Sequence, residues 1–323
     1  MSSDFDRLQP DLILSAIEKA GYFPTGEYSQ LNSYENRVFD MRLESHPRAF
    51  QPLDRVIAKF YRPNRWSKAQ IQDEHDFLND LLNEGIPAVA ALPLKTGGTS
   101  YEIDGYIMAL FPRVVGRNPQ EFLPGQLKQV GRTLAHIHNV GSRKVANFRP
   151  TLGPQAYGWD AFKRLERAVY PELWQRYEEV ATTLLHYLED ELDPSSNMRI
   201  HGDCHKGNLL HSSQGEFFFV DFDDFCNGPA IQDFWMLLSS GADEDESQHE
   251  QDEICQGYEE LRQAPDNWHL LEPLRGLRII HYAGWIAHRW NDPFFKRIFP
   301  DFETYNYWQQ ELQTLEKIVN RLK

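Results

Sequence analysis

Apolar positions along this 323-residue chain recur with two periods, and the balance between them shifts near the end of the first third. A helical spacing over Pro10 to Ala20, ended by Gly21, is followed by strand-like segments at Arg37 to Leu43 and Val56 to Tyr61, with a polar, proline-containing loop between them. The next helix runs from about Ser67 to Asn83, where Ser67 and Gln70 form a capping box and Gly85 marks the stop. Its apolar stripe is Ile71, Leu78 and Leu81, and Glu74 falls on that same stripe, where an unpaired carboxylate is costly.

Gly105 to Leu110 reads as a buried strand, after which Pro112, Gly116 and Pro119 break regular structure. A division into residues 1–111 and 112–323 follows. Beyond it the period is mostly helical: Leu127, Val130, Leu134 and Ile137 share one face, and Leu173, Tyr177, Val180, Leu184 and Leu188 share another. Two short strands interrupt this pattern, Met198 to Ile200 and Glu216 to Asp221, and the turn Ser212-Ser213-Gln214-Gly215 between them predicts a two-strand hairpin. A further helix is expected over Phe234 to Ser240. No internal repeat or low-complexity tract is present.

Composition narrows the class. With 41% hydrophobic residues the chain can bury a substantial core, and a formal net charge of -15 argues against capture by nucleic acid or an anionic membrane. The acidic run Asp243 to Glu253 reads as a solvated loop or helix face. Cys204, Cys226 and Cys255 form no CxxC pair, which fits a reducing compartment. Residues 1–10 lack the apolar core of a signal peptide and no run of about 18 apolar residues occurs, so a cytoplasmic protein outside the membrane is expected.

The chemistry concentrates in His201-Gly202-Asp203-Cys204-His205-Lys206-Gly207-Asn208 and in Val220-Asp221-Phe222-Asp223, thirteen residues further on. Phosphoryl transfer needs a carboxylate to orient the acceptor hydroxyl and take its proton, together with oxygen ligands for the magnesium ion on the nucleotide phosphates. Asp203 suits the first task, and Asn208 and Asp221 suit the second, with hard oxygens that favour Mg²⁺. A carboxylate at the end of the apolar run Phe217 to Val220 also demands a cation or donors nearby. Upstream, Lys59 in Val56-Ile57-Ala58-Lys59-Phe60-Tyr61 meets the need for a phosphate-binding lysine, and Glu74 on the following helix is the acid that would pair with it.

HGDxHxGN, VDFDD and PAxQDxW together resemble the motifs of the aminoglycoside phosphotransferase and choline kinase superfamily. Leu31-Asn32-Ser33-Tyr34-Glu35-Asn36-Arg37, Lys59-Phe60-Tyr61-Arg62-Pro63 and Asn227 to Asp233 are similar to segments of the bacterial stress response kinase A family, over residues 30 to 310 or so. The resemblance implies an α+β, two-lobed protein-kinase-like fold, with a small antiparallel-sheet N-lobe and a larger helical C-lobe. It implies a serine/threonine protein kinase that uses ATP and Mg²⁺ in a stress response. Asp203 is then the proton acceptor, Asn208 and Asp221 bind magnesium, and Ser33 contacts ATP. A monomer acting on a protein substrate is expected.

Departures from the protein-kinase pattern carry further expectations. No GxGxxG covers the phosphates, so Asn32, Ser33 and Asn36 would donate hydrogen bonds instead, with help from Arg37. Asp223 replaces the glycine expected after Asp221-Phe222, and none of the eleven residues between Asp221 and Asp233 is Ser, Thr or Tyr, which leaves no phosphorylated activation loop. Asp233 should brace the catalytic loop or cap its helix, His201 should orient that loop, and the adenine should bond near Leu110 and Phe111. Three competing readings remain: a small-molecule kinase acting on an amino alcohol or sugar, a zinc hydrolase built on His201, Asp203, His205 and His211, and an inactive scaffold.

Overall fold

A computed structural model describes residues 4–46, 49–238 and 244–322. Helix α1 (Pro10–Lys19) leads into a five-stranded antiparallel sheet of β1 (Pro24–Leu31), β2 (Arg37–Leu43), β3 (Arg55–Phe60), β4 (Tyr101–Ile103) and β5 (Tyr106–Pro112), in the order β1-β2-β3-β5-β4. Helix α2 (Lys68–Asn83) is inserted between β3 and β4, and the Ser67–Gln70 capping box is formed. The period-two alternation of β3 splits its side chains: Val56, Ala58 and Phe60 join Phe39, Met41 and the apolar face of α1 in one core, while Ile57 and Lys59 face a cleft.

The larger lobe is helical: α3 (Gln126–Gly141), α4 (Asp160–Leu165), α5 (Pro171–Glu191), α6 (Ile231–Trp235), α7 (Glu244–Tyr258), α8 (Leu271–Arg289), α9 (Pro293–Ile298) and α10 (Tyr305–Asn320). Helices α3 and α7 cross so closely that a Cβ at Gly131 would lie 2.1 Å from the Ile254 carbonyl oxygen, and one at Gly257 would lie 1.8 Å from that of Lys128. Glycine is required at both points. The α2 stripe of Ile71, Leu78 and Leu81 packs into this second core, with Phe77 against Phe222 and Phe225.

Two two-stranded ribbons carry the central loops, and their pairing differs from expectation. Strand β6 (Met198–Ile200) pairs with β9 (Cys226–Gly228), whereas the hairpin around Ser212–Gly215 joins β7 (Leu209–His211) to β8 (Phe217–Phe219). Apolar content marks a strand as buried without naming its partner. Strands β1 and β4 escape sequence detection because β1 is a largely exposed edge strand and β4 has only three residues. Helix α6 begins at Ile231, so Asp233 lies in its first turn instead of capping it, and the expected continuation to Ser239 and Ser240 lies outside the described residues. The acidic run likewise begins at Asp243, outside them, and continues into α7; Met1 to Ser3 also lie outside.

Candidate active site

A cavity of about 400 Å³ between the lobes is lined by Ser33, Lys59, Glu74, Asn208 and Asp221, five of the six residues singled out from sequence. The sixth, Asp203, adjoins it through Asn208, whose Nδ2 donates to the Asp203 carbonyl at 3.0 Å and to its Oδ2 at 3.2 Å. With the amide nitrogen so committed, the amide oxygen of Asn208 is the atom left to meet a cation.

The loop that carries Asp203 and Asn208 is braced from beneath. Asp233, fully buried, accepts the backbone N–H of His201 and of Gly202, each at 2.8 Å, and its Oδ2 lies 3.1 Å from His138 Nε2. Gly202 has φ +80°, and a Cβ there would lie 2.5 Å from the Asp224 carbonyl oxygen. The His201 ring spans the two segments: Nε2 lies 3.0 Å from the Val220 carbonyl oxygen, and Nδ1 accepts the Asp203 N–H at 3.3 Å. Both nitrogens are thus committed to orienting the loop. Asp203 Oδ1 accepts a bond from Arg278 at 2.7 Å, and His205 Nε2 lies 3.5 Å from Oδ2. Burial alone would raise the Asp203 pKa, but Arg278 and the two histidines outweigh it and hold the carboxyl well below the usual range.

Asp221 follows β8 in a left-handed backbone conformation, φ 60° and ψ 65°, and its side chain is 54% exposed. A left-handed non-glycine residue costs on the order of 1 kcal/mol, and here the bend turns the carboxylate into the cavity lining. Lys59 lies 3.4 Å from Asp221 and 3.6 Å from Glu74, but its shortest ion pair, 2.8 Å, is to Asp223. Glu74 in turn bonds Arg149 at 2.8 Å, Arg149 donates to the Asp223 carbonyl at 2.6 Å, and Arg65 pairs with Asp223 and Asp224. The expected lysine–glutamate pair is therefore one edge of a buried network. Burial would lower the Lys59 pKa, yet Asp223 and Glu74 keep it raised; burial would raise that of Asp223, yet Arg65, Lys59 and Arg149 hold it well below the usual range.

Several expectations need correction. Arg37 does not line the cavity: its guanidinium lies over Phe5 and Phe294, held by a cation–π geometry that the sequence does not encode locally. Of the two residues expected near adenine, Phe111 lines the cavity, whereas Leu110 sits in the opposite core and its carbonyl accepts the Leu92 N–H at 2.6 Å. The zinc donors do not converge: His201 is committed as above, His211 stacks on Phe217, and among the described residues no group of three His, Cys, Asp or Glu could hold a metal ion. The thiols of Cys204 and Cys226 are buried, which raises both pKa values, Cys226 to about 12, so neither is a ready thiolate. Sequence reasoning missed Arg65, Arg149 and Arg278, and read Asp223 only as a lost glycine. The unexplained acid Glu74 signalled that further cations were needed, but not which ones.

The phosphotransferase enzyme family matches residues 27–274. The chain is 36% identical over 314 residues to the serine/threonine protein kinase RdoA of Salmonella typhimurium, covering 96% of this chain and 92% of the relative. It is 35% identical over 318 residues to stress response kinase A of Escherichia coli K12, with the same coverage, 96% and 92%. Among solved structures it is similar to an amicoumacin kinase in complex with AMP-PNP and Ca²⁺, with TM-score 0.75, 18% identity and coverage of 99% and 98%. A microcompartment-associated aminopropanol kinase gives TM-score 0.70, 19% identity and coverage of 96% and 95%. At these identities the structural likeness shows the two-lobed fold.

Proposed function

The chain belongs to the phosphotransferase enzyme family and is an ATP-dependent phosphotransferase related to stress response kinase A, and from that premise we propose that it transfers the γ-phosphate of Mg-ATP to a serine or threonine hydroxyl of a protein. Residues 1–111 then form the nucleotide-covering lobe, and residues 112–323 carry the catalytic loop, metal site and acceptor site. The observation that supports this reading is the meeting in one cavity of Lys59, Asn208 and Asp221, with Asp203 bonded to Asn208.

Asp203 orients the acceptor hydroxyl and takes its proton as the oxygen attacks the γ-phosphorus; the bond to the β–γ bridging oxygen breaks and ADP leaves. Lys59, held by Glu74 and Asp223, faces the phosphates as a fixed positive charge. Ser33, with Asn32 and Asn36, covers them from the β1–β2 loop in place of a glycine-rich strap. Asn208 and Asp221 fit magnesium, because one neutral and one charged oxygen donor share the cavity with no thiolate. That ion would neutralise charge on the phosphates.

Among the described residues no helix is long and apolar enough to cross a membrane, and we place the protein in the cytoplasm as a monomer. The test is transfer of labelled γ-phosphate to protein acceptors, compared with a panel of sugars and amino alcohols. Label on protein alone supports the reading, and label confined to a small alcohol replaces it with the small-molecule kinase. Asp203→Ala should lower turnover on the order of 10²-fold or more with either acceptor. Unchanged turnover in that variant refutes the assignment of the base.

A further inference from the structure

The catalytic loop does not hold Asp203 by itself. One carboxylate oxygen accepts the Asn208 amide, and the other accepts Arg278 Nη2 at 2.7 Å from helix α8. Arg278, Tyr282, Trp285 and Arg289 follow one another at spacings of four, three and four, which places them on a single stripe of α8. At the far end of the stripe, Trp285 Nε1 donates to the Glu35 carboxylate, and Arg289 reaches both Glu35 oxygens at 3.3 Å. Glu35 belongs to the β1–β2 loop, flanked by Ser33 and Asn36 of the cavity lining. A helical span of about 16 Å thus touches the proposed base at one end and the nucleotide loop at the other.

We propose that Arg278 is a positioning residue: it holds the Asp203 carboxylate in register with the nucleotide loop, using α8 as the common rigid support. This rests on Asp203 being the base. A carboxylate gripped at both oxygens by independent donors cannot swing about its terminal torsion, whereas without Arg278 the Asn208 amide is left as the close side-chain donor. Geometry, not substrate affinity, is what the guanidinium supplies, and a misplacement of about 1 Å can cost on the order of 10²-fold in rate.

Arg278→Ala should therefore lower kcat on the order of 10²-fold while KM for ATP stays within about twofold of wild type. Arg278→Lys should recover about tenfold of the loss, since it restores one charge-assisted bond without the planar fork. Arg278→Gln, measured alongside, covers the case in which the alanine variant folds poorly, and an ATP-Mg thermal shift equal to that of wild type identifies a folded nucleotide site. Wild-type-like kcat, a loss confined to KM or to melting temperature, or lysine performing no better than alanine overturns the proposal. Asp203→Asn separates the two levels: if it too leaves turnover intact, the base assignment fails, and if it abolishes turnover while Arg278→Ala does not, only the role of Arg278 falls.

Discussion

The carboxylates Glu74 and Asp203 stand on opposite sides of the cleft and are held in opposite ways. Glu74 is 1% exposed and lies between two cations, Lys59 and Arg149, both themselves buried. Asp203 keeps 14% of its side chain accessible and is gripped by a part-exposed arginine and an amide. The network around Glu74 also bolts the lobes together, because Lys59 and Glu74 come from β3 and α2 while Arg149 and Asp223 come from the larger lobe. Burial builds a fixed electrostatic frame on one side, and on the other the group that would exchange a proton remains reachable.

The strongest test of this contrast is stability. Glu74→Ala leaves Arg149 without its carboxylate and Lys59 with only Asp221 and Asp223, and breaking the buried network in this way should cost about 3–5 kcal/mol in urea unfolding. Asp203→Ala should cost far less, and a reversed order would break the comparison. Next in size is Asp221→Asn, chosen because asparagine tolerates the left-handed backbone there. It should lower turnover on the order of 10²-fold and raise the magnesium needed for half-maximal activity by about tenfold or more, with little change in melting temperature.

Per pH unit, a smaller effect should appear in acid. His75, beside Glu74 on α2, is pushed down to about 3 by burial, with Lys59 and Arg149 adding to the shift. Its folded pKa is therefore below the unfolded value of about 6.5, so the unfolded chain binds the extra proton first. The stability contributed by neutral His75 is complete above about pH 6.5 and erodes as pH falls toward 3, by about 1.4 kcal/mol per pH unit. His75→Gln should flatten the stability profile over that window, measured by denaturant midpoints. The smallest change concerns the loop: Glu35→Gln keeps hydrogen-bonding atoms but removes the charge facing Arg62 and Arg289, and should raise KM for ATP about threefold with kcat nearly unchanged.

Much of the frame was legible. The helix over Lys68–Asn83 announces itself by a capping box and a stripe, and β2 matches its predicted limits, because both signals are local. Glu74 was conspicuous as a charge on an apolar face, and the phosphate-binding lysine expected at Lys59 supplied it with a partner. The same logic could not reach Arg149 or Arg278, which are ordinary exposed-type residues in sequence and become partners of Glu74 and Asp203 only across separations of 75 residues in each case.

The sequence by itself determined which residue types could perform phosphoryl transfer, in what order they occur, and which faces of the helices and strands must be buried. Tertiary structure alone decided that Phe217–Phe219 pairs with Leu209–His211 and not with Met198–Ile200, that Lys59 pairs most closely with Asp223, and that α8 grips both Asp203 and Glu35. The physical reason is that periodicity and capping are written in neighbours a few residues apart. An ion pair between distant residues is selected by the geometry that the whole packed core imposes, and it leaves no mark on the chain near either partner.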